Sequence, residues 1–437
     1  MKFREVLLVV VLLLAGVVIY QVQTGGWPVN FGWEGDVIGW GHEYGFEESR
    51  TIEAPLPATL EVTNSHGWVE VRGGDQEAVQ LTFKKRVWRK DEAEAKAVAD
   101  KLQCKVDRTG DRLMLSTNRD EFTKRGFETG FVLTVPKRLA VKVENSYGAV
   151  KVEAVKEADV RNHHGEVTAS DIDGPCRLES SYEAVEARNL RAGCEVINKH
   201  ADVTLLKVAG DVRVEAPYGT IRIEDVGGKA DVTGGHSPVE LRRVQGPVSV
   251  DTSYEDISLA ETGPARVRAR HAAVEATDIK GDLDVQTTYE PVRARNVAGG
   301  FQAYGNNVQV TADGVDGKEI SVTTTYEPVE LSGFSAALKV SVRHGSVTLR
   351  PSALGSPMDV RGEYAAIDFY WPAGGSAPLE AETRGGSVSW GLPGRPSVQK
   401  TNGTSVVKAF VENAGRPGVT LSTTYGDIRI EEKAGKI

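Results

Sequence analysis

Cysteine is scarce, with three residues in a chain of 437. Three thiols cannot build a disulfide framework, and their spacing fits no metal-binding pattern. An excess of positive charge is also missing. Lys plus Arg total 52 against 61 Asp plus Glu, a net charge of −9. Phosphate binding depends on clustered positive charge, so nucleic acid is not an expected partner. No catalytic signature is recognisable, so no catalytic residue is assigned and no cofactor or metal is expected. Long apolar runs are absent except at the start of the chain, where Lys2 and Arg4 precede VLLVVVLLLAGVVIY at residues 6–20. That run is short for a bilayer core of about 30 Å, although flanking residues that reach to the interface extend it. It reads as a signal peptide or, preferably, an uncleaved anchor over residues 1–24. Either choice leaves the positive charges in the cytoplasm and exports everything after residue 21.

Glycine is what the chain has in excess, 47 residues, or about 11% against a usual share of about 7%. The excess signals many tight turns, and a repeat accounts for them. A Tyr or His marker recurs at Tyr147, His164, Tyr182, His200, Tyr218, His236, Tyr254, His271, Tyr289, Asn307, Tyr326, His344 and Tyr364. Five successive spacings from His164 to Tyr254 equal 18, and the others lie between 17 and 20. With the marker at position zero, apolar residues fall at −6, −4, +3, +5 and +8, as in Val212, Val214, Ile221, Ile223 and Val226 around Tyr218. Period-two alternation means strands with one buried face. Each unit then supplies two short strands and two turns, too little to bury its own apolar face, so units must stack.

The expected fold is all-β: a β-solenoid of ~18-residue two-strand repeats, with one short capping helix near its N-terminal end and an N-terminal membrane anchor. The strict Tyr/His alternation leaves a 36-residue coil open, with Tyr on one side and His on the other, and a run of hairpins is a third option. Cys176 and Cys194, 18 residues apart in the inward −6 slot, are neighbours on an 18-residue rung, as a disulfide requires. Two buried free thiols are the preferred alternative. Residues 25–51 read as a Gly/aromatic linker and 52–137 as an N-terminal capping part. Within the latter, 91–104 has helical spacing and Asp91 as N-cap, and is expected to cover the open end of the core. The regular array spans 138–372, and 373–437 holds irregular repeats, a last good copy at Tyr425 and the second cap.

The recurrent units SYGAVKV and HHGEVTA, together with the anchor and the helix-bearing start, resemble the bacterial putative-adhesin family of β-strand-repeat domains. The resemblance covers roughly residues 50–435. It implies a β-solenoid in an envelope-associated protein of largely unknown function, and it carries no agreed catalytic residues.

Specific chemistries fit this background less well than packing does. His164, His200, His236, His271 and His344 lack a second recurring ligand type, so corner packing outweighs a metal ladder, with the His163–His164 pair the one spot worth testing. The tyrosines share the parity of the inward slots, so inward packing is expected over an exposed glycan platform. Glu183, Glu255, Glu290 and Glu327 form a column of equivalent carboxylates, whereas glycoside hydrolysis needs two distinct ones. The expected function is a non-enzymatic, membrane-tethered, exported adhesion-like or scaffolding protein. Its repetitive surface would face a glycan, the cell wall or another envelope protein. Two alternatives are a polysaccharide-active enzyme on a β-helix, for which Asp313, Asp316 and Lys318 are the available loop residues, and an envelope-stress component binding a membrane partner through the Trp-rich stretch.

Overall fold

A computed structural model describes residues 41–123, 126–393, 396–401, 404–409 and 418–432. The expected anchor at residues 6–20 lies outside the described residues, as do residues 25–40 of the expected linker. Among the described residues no helix is long and apolar enough to cross a membrane.

Alternation builds the walls. In Val212–Tyr218 the side chains of Val212, Val214 and Ala216 are buried while Arg213 and Glu215 face outward, and Ile221–Val226 repeats the pattern. Neither strand can cover its own apolar row, so each pairs in parallel with its counterpart one unit on: Val212 with Ala230, Ile221 with Val239. The register step is one repeat, 17 residues where Tyr147 lies beside His164 and 18 where Tyr218 lies beside His236, and it places the markers side by side. The 36-residue coil and the hairpin array are therefore excluded. The result is an all-β solenoid of about 13 turns, whose two walls enclose a single apolar core running from Ile52 to Ile430. Full burial of each Val, Ile or Leu contributes about 1.5–3 kcal/mol, a gain that exists only when neighbouring rungs are present.

Left-handed residues turn the chain at two corner positions, although the markers Tyr182, His200 and His236 do not adopt that conformation. One is the marker itself, as at Tyr254 (φ 70°), His271 (52°) and Tyr289 (68°), or the Gly that follows it, as at Gly148 (99°) and Gly219 (92°). The other lies seven residues on, at Asp171, Asn189, Lys207, Asp225, Arg243 and their counterparts, with φ of 53–60° at these five positions. Asn and Asp tolerate this region, whereas Lys207 and Arg243 adopt it because packed rungs on both sides fix the corner. At Gly148 a Cβ would stand 2.2 Å from the carbonyl oxygen of Gly67, so only Gly fits this close approach between rungs.

Reversal of strand direction ends the stack at the N-terminal side. We label the strands β1 (His42–Ile52), β2 (Thr59–His66), β3 (Val69–Gly74), β4 (Val79–Arg89), β5 (Cys104–Thr109), β6 (Arg112–Thr117), β7 (Phe127–Pro136), β8 (Ala140–Tyr147) and β9 (Val150–Glu153). β2 and β3 form the first rung, pairing in parallel with β8 and β9 on one side and with β6 and β7 on the other. Beyond that, β5, β4 and β1 pair antiparallel, so the parallel template stops. β1 therefore places part of the expected 25–51 linker inside the cap.

The helix, α1 (Glu92–Ala99), is shorter than the 91–104 span expected, because Cys104 already belongs to β5. Asp91 caps it as expected, accepting from the Glu94 backbone N–H at 2.9 Å. It does not close the core, whose end is covered by Leu81, Phe83, Leu113 and Leu115 of β4 and β6. Ala95 and Ala99 instead pack in a separate cluster with Val87 and Phe127, where β4 and β7 run past the rung.

The C-terminal end departs from sequence order. Met358–Trp371 pairs in parallel not with the segment that follows it but with Val419–Thr424 and Ile428–Glu432. Leu379–Arg384 and Val388–Gly391 pair on the far side of those strands, and the antiparallel hairpin of Thr404–Ala409 and Ser397–Thr401 adds to Leu379–Arg384 beyond them. The last copy in the chain is therefore the penultimate rung in space.

Candidate interaction surface

Because markers pair in register, their rings form one column rather than two. From Tyr147 to Tyr289 every neighbouring pair is stacked, with centroids 4.4–5.6 Å apart and planes within 3–15° of parallel. His66 extends the column at the start, 4.5 Å from Tyr147. Tyr326, His344, Tyr364 and Tyr425 continue it after a break at Asn307.

The tyrosines point outward, which corrects the inward packing expected from parity. They are 45–61% exposed from Tyr147 to Tyr326. Where the corner residue is left-handed, as at Tyr254 and Tyr289, it shifts the side-chain alternation by one, so a position that shares the parity of the inward slots faces solvent; Tyr182 faces outward without that device. The exposed groups along the continuous column are nevertheless not open ring faces. Each ring face is covered by the next ring, leaving only edges, hydroxyls and imidazole nitrogens exposed.

Position −2 is where the inward row ends. Asn145, Asn162 and Asn198 are buried there, each donating Nδ2 to corner carbonyls: Asn162 reaches Gly148 O and Gly165 O, both at 2.9 Å. Later rungs use Thr for the same purpose, as in Thr287 Oγ1 donating to Ala272 O at 2.8 Å and Thr324 Oγ1 to Val308 O at 2.7 Å. A corner interrupts the strand ladder, and a buried carbonyl without a donor is costly.

Charge on the −6 to −1 wall is ordered too, a feature the sequence reading missed although its signal was present. Position −5 runs Glu61, Lys142, Asp159, Arg177, Glu195, Arg213, Asp231, alternating in sign rung by rung. Register turns that alternation into ion pairs: Lys142–Glu61 at 3.0 Å, Arg177–Glu195 at 2.7 Å and, further on, Arg266–Asp284 at 3.1 Å. Hydrogen bonds that Lys142 donates to Glu144 and Glu61 raise its pKa, and the hydrogen bond that Arg177 donates to Glu179 does the same for Arg177. On the second wall Arg243 bridges Glu224 and Asp225, and its hydrogen bond holds the Asp225 carboxyl below the usual carboxylate range.

The remaining candidates do not converge. Glu183, Glu255 and Glu290 are exposed and Glu327 half-buried, each on a different rung. His163 is exposed while His164 is held between Tyr147 and Tyr182. No group of three or more His, Cys, Asp or Glu able to hold a metal exists among the described residues. Asp313 lies in the strand Val310–Val315 and accepts from Ser332 Oγ, so the segment is more regular than the sequence suggests. Cys176 and Cys194 are register partners, both buried free thiols, and the neighbouring Cys176 thiol together with burial pushes the Cys194 thiol pKa well up.

A family model described as Toastrack DUF4097 matches residues 58–297, more than half of the chain. The chain belongs to the Toastrack family. The match agrees with the resemblance to β-strand-repeat adhesin domains, and the solenoid continues beyond it through the rungs of Tyr326, His344, Tyr364 and Tyr425. No curated protein matches the chain. The crystal structure of a putative cell adhesion protein from Clostridium sporogenes ATCC 15579 is 10% identical, covers 89% of this Toastrack chain and 100% of its own, and superposes with a TM-score of 0.19. A superposition that loose carries no weight for fold or function.

Proposed function

We propose that this Toastrack protein is a non-enzymatic, exported spacer and adhesion-like scaffold, tethered to the cytoplasmic membrane by residues 6–20. It would present its solenoid to a glycan, the cell wall or another protein of the envelope. The observation that supports this reading is the translational equivalence of its outward groups. From Tyr147 to Tyr364 the column spans twelve rung steps of about 4.8 Å, or roughly 60 Å. Rings and charges recur at that interval without gathering into one asymmetric cluster. Catalysis needs a single preorganised constellation of distinct groups. A column of equivalent groups instead favours many weak, parallel contacts with an extended partner, which combine into avidity.

Full-length protein in detergent, mixed with isolated envelope material and with purified envelope polysaccharides, tests the reading. Saturable co-sedimentation without release of shorter products is expected. Turnover that disappears on replacing one or two carboxylates would show an enzyme instead. Protease accessibility in intact and opened cells checks the tether, with the solenoid expected outside the cytoplasmic membrane.

A further inference from the structure

The ring column has one interior gap. Tyr289 stacks on His271 at 4.9 Å and Tyr326 on His344 at 5.0 Å, and between these two tyrosines lies Asn307. Each of the two therefore turns one ring face toward a rung without a ring. Both rings are well exposed, at 59% and 61%, close to the 58% of Tyr254. The Asn307 carboxamide is held toward the neighbouring column: Thr325 Oγ1 accepts from the Asn307 N–H at 3.1 Å and donates to Asn307 Oδ1 at 3.2 Å. Two rung steps of about 4.8 Å put the tyrosine planes roughly 9.6 Å apart. Twice the carbon–carbon contact distance is about 7–8 Å, which a flat aromatic ring would need and which leaves slack in this space. A puckered pyranose is thicker and presents C–H groups on both faces.

A groove leads from this rung along the −6 to −1 wall. It is lined by Tyr289, Asn306, Tyr304, Arg270 and Arg268, with Asp251 at its far end. Tyr304 is 55% exposed, a second aromatic surface on the same rung. Arg268 and Arg270 make no ion pair among the described residues, whereas Arg266 on the same strand is engaged by Asp284. Free guanidinium groups beside an aromatic slot suit a carboxylate, which they bind in a bidentate fork.

We propose that the Asn307 gap is a saccharide subsite. One pyranose ring of an acidic oligosaccharide inserts between Tyr289 and Tyr326, and the adjoining uronate units run over Tyr304 toward Arg270 and Arg268. This deepens the adhesion reading and rests on it, since it assigns the surface a ligand class. It also explains why an otherwise continuous column is interrupted once in its interior.

The test uses the full-length chain and two probes, a galacturonic acid trisaccharide and the neutral galactose trisaccharide, followed by titration calorimetry and saturation-transfer NMR. Wild-type protein is expected to bind the acidic probe at least tenfold more tightly than the neutral one. Asn307→His restores the column, and His271 and His344 already adopt the same left-handed backbone (φ 52° and 55° against 56°). This variant is expected to fold with an unchanged or higher Tm and to lose binding at least tenfold. Arg268→Gln with Arg270→Gln is expected to abolish the preference for the acidic probe while leaving neutral binding in place. Unaltered binding by the folded Asn307→His variant overturns the proposal. So does a wild-type chain that binds neither probe, and if that chain still sediments with envelope material, the adhesion reading survives while the subsite does not.

Discussion

His200 stacks between Tyr182 and Tyr218 at 5.2 and 5.5 Å, so its ring serves two contacts at once. Aromatic pairs contribute about 0.5–1.5 kcal/mol each, and exposed pairs belong at the lower end. His200→Ala is therefore expected to cost about 1–2 kcal/mol in urea denaturation, whereas His200→Phe, which keeps a ring, should recover most of it. Equal losses in both variants would mean that the column is decoration rather than a source of stability. Cys104 gives a second residue-scale expectation. Burial pushes its thiol pKa up to about 11, from an ordinary value of 9.0. The folded state therefore resists ionisation that the unfolded state allows. The sign follows: stability is unaffected by this group below pH 9 and falls as pH rises from 9 toward 11. Cys104→Ser should flatten that alkaline decline in the midpoint of urea unfolding, and alkylation of the native chain at pH 8 should leave Cys104 unmodified until denaturant is added.

Lys85 shows how the N-terminal elements are joined. Its side chain is 2% exposed, and its Nζ donates to the Ala99 carbonyl at 2.7 Å and to the Glu48 carboxylate. One ammonium thus caps the C-terminal end of α1, where a cation is favoured, and fastens β1 to β4. The Lys85 hydrogen bond also holds the Glu48 carboxyl below its usual range. Lys85→Met removes all of this and leaves the last-turn carbonyl of α1 unmet. Hydrogen exchange should then speed in Glu92–Ala99 and His42–Ile52 while the rungs from Tyr182 onward keep their protection; loss of protection throughout would contradict the separate cluster in which α1 packs. None of these joints was legible beforehand, because Lys85 looks like any polar residue of an alternating strand until β1 and α1 are placed around it. The rungs were legible, since Val212, Val214, Ile221 and Ile223 announce their burial by period alone. The outward turn of the tyrosines was not, because a left-handed corner at Tyr254 or Tyr289 leaves no mark in the residue type. Nor was the displaced rung of Tyr425. Its apolar pattern is as good as any other, and its place was decided by which edge the antiparallel hairpin of Ser397–Thr401 and Thr404–Ala409 left free.

At the scale of the molecule, two periods coexist in the first half of the array. Between Tyr147 and His236 packing repeats every 17–18 residues, whereas ring type and −5 charge repeat every 35–36, because neighbours must differ while alternate rungs match. The structure shows the packing step directly in the pairing of Val212 with Ala230. The 36-residue step appears in the sign order Lys142, Asp159, Arg177, Glu195, Arg213, Asp231. Stability in a stacked array is close to a sum of unit and nearest-neighbour terms, so the two periods can be separated by deletion. Removing residues 201–218 takes out one rung and keeps the packing register. It also sets His200 on His236 and Glu195 beside Asp231, a like-charge pair where an opposite pair stood. Removing residues 201–236 takes out two rungs and a larger share of the core, yet sets His200 on Tyr254 and Glu195 beside the neutral Ser249. If only buried area mattered, the shorter deletion would be the less damaging. With neighbour terms included, the double deletion is expected to melt at the higher temperature, and raising the salt concentration should narrow the difference by screening the Glu195–Asp231 repulsion. A single-rung deletion that melts above the double one at low salt would leave the alternation without an energetic role.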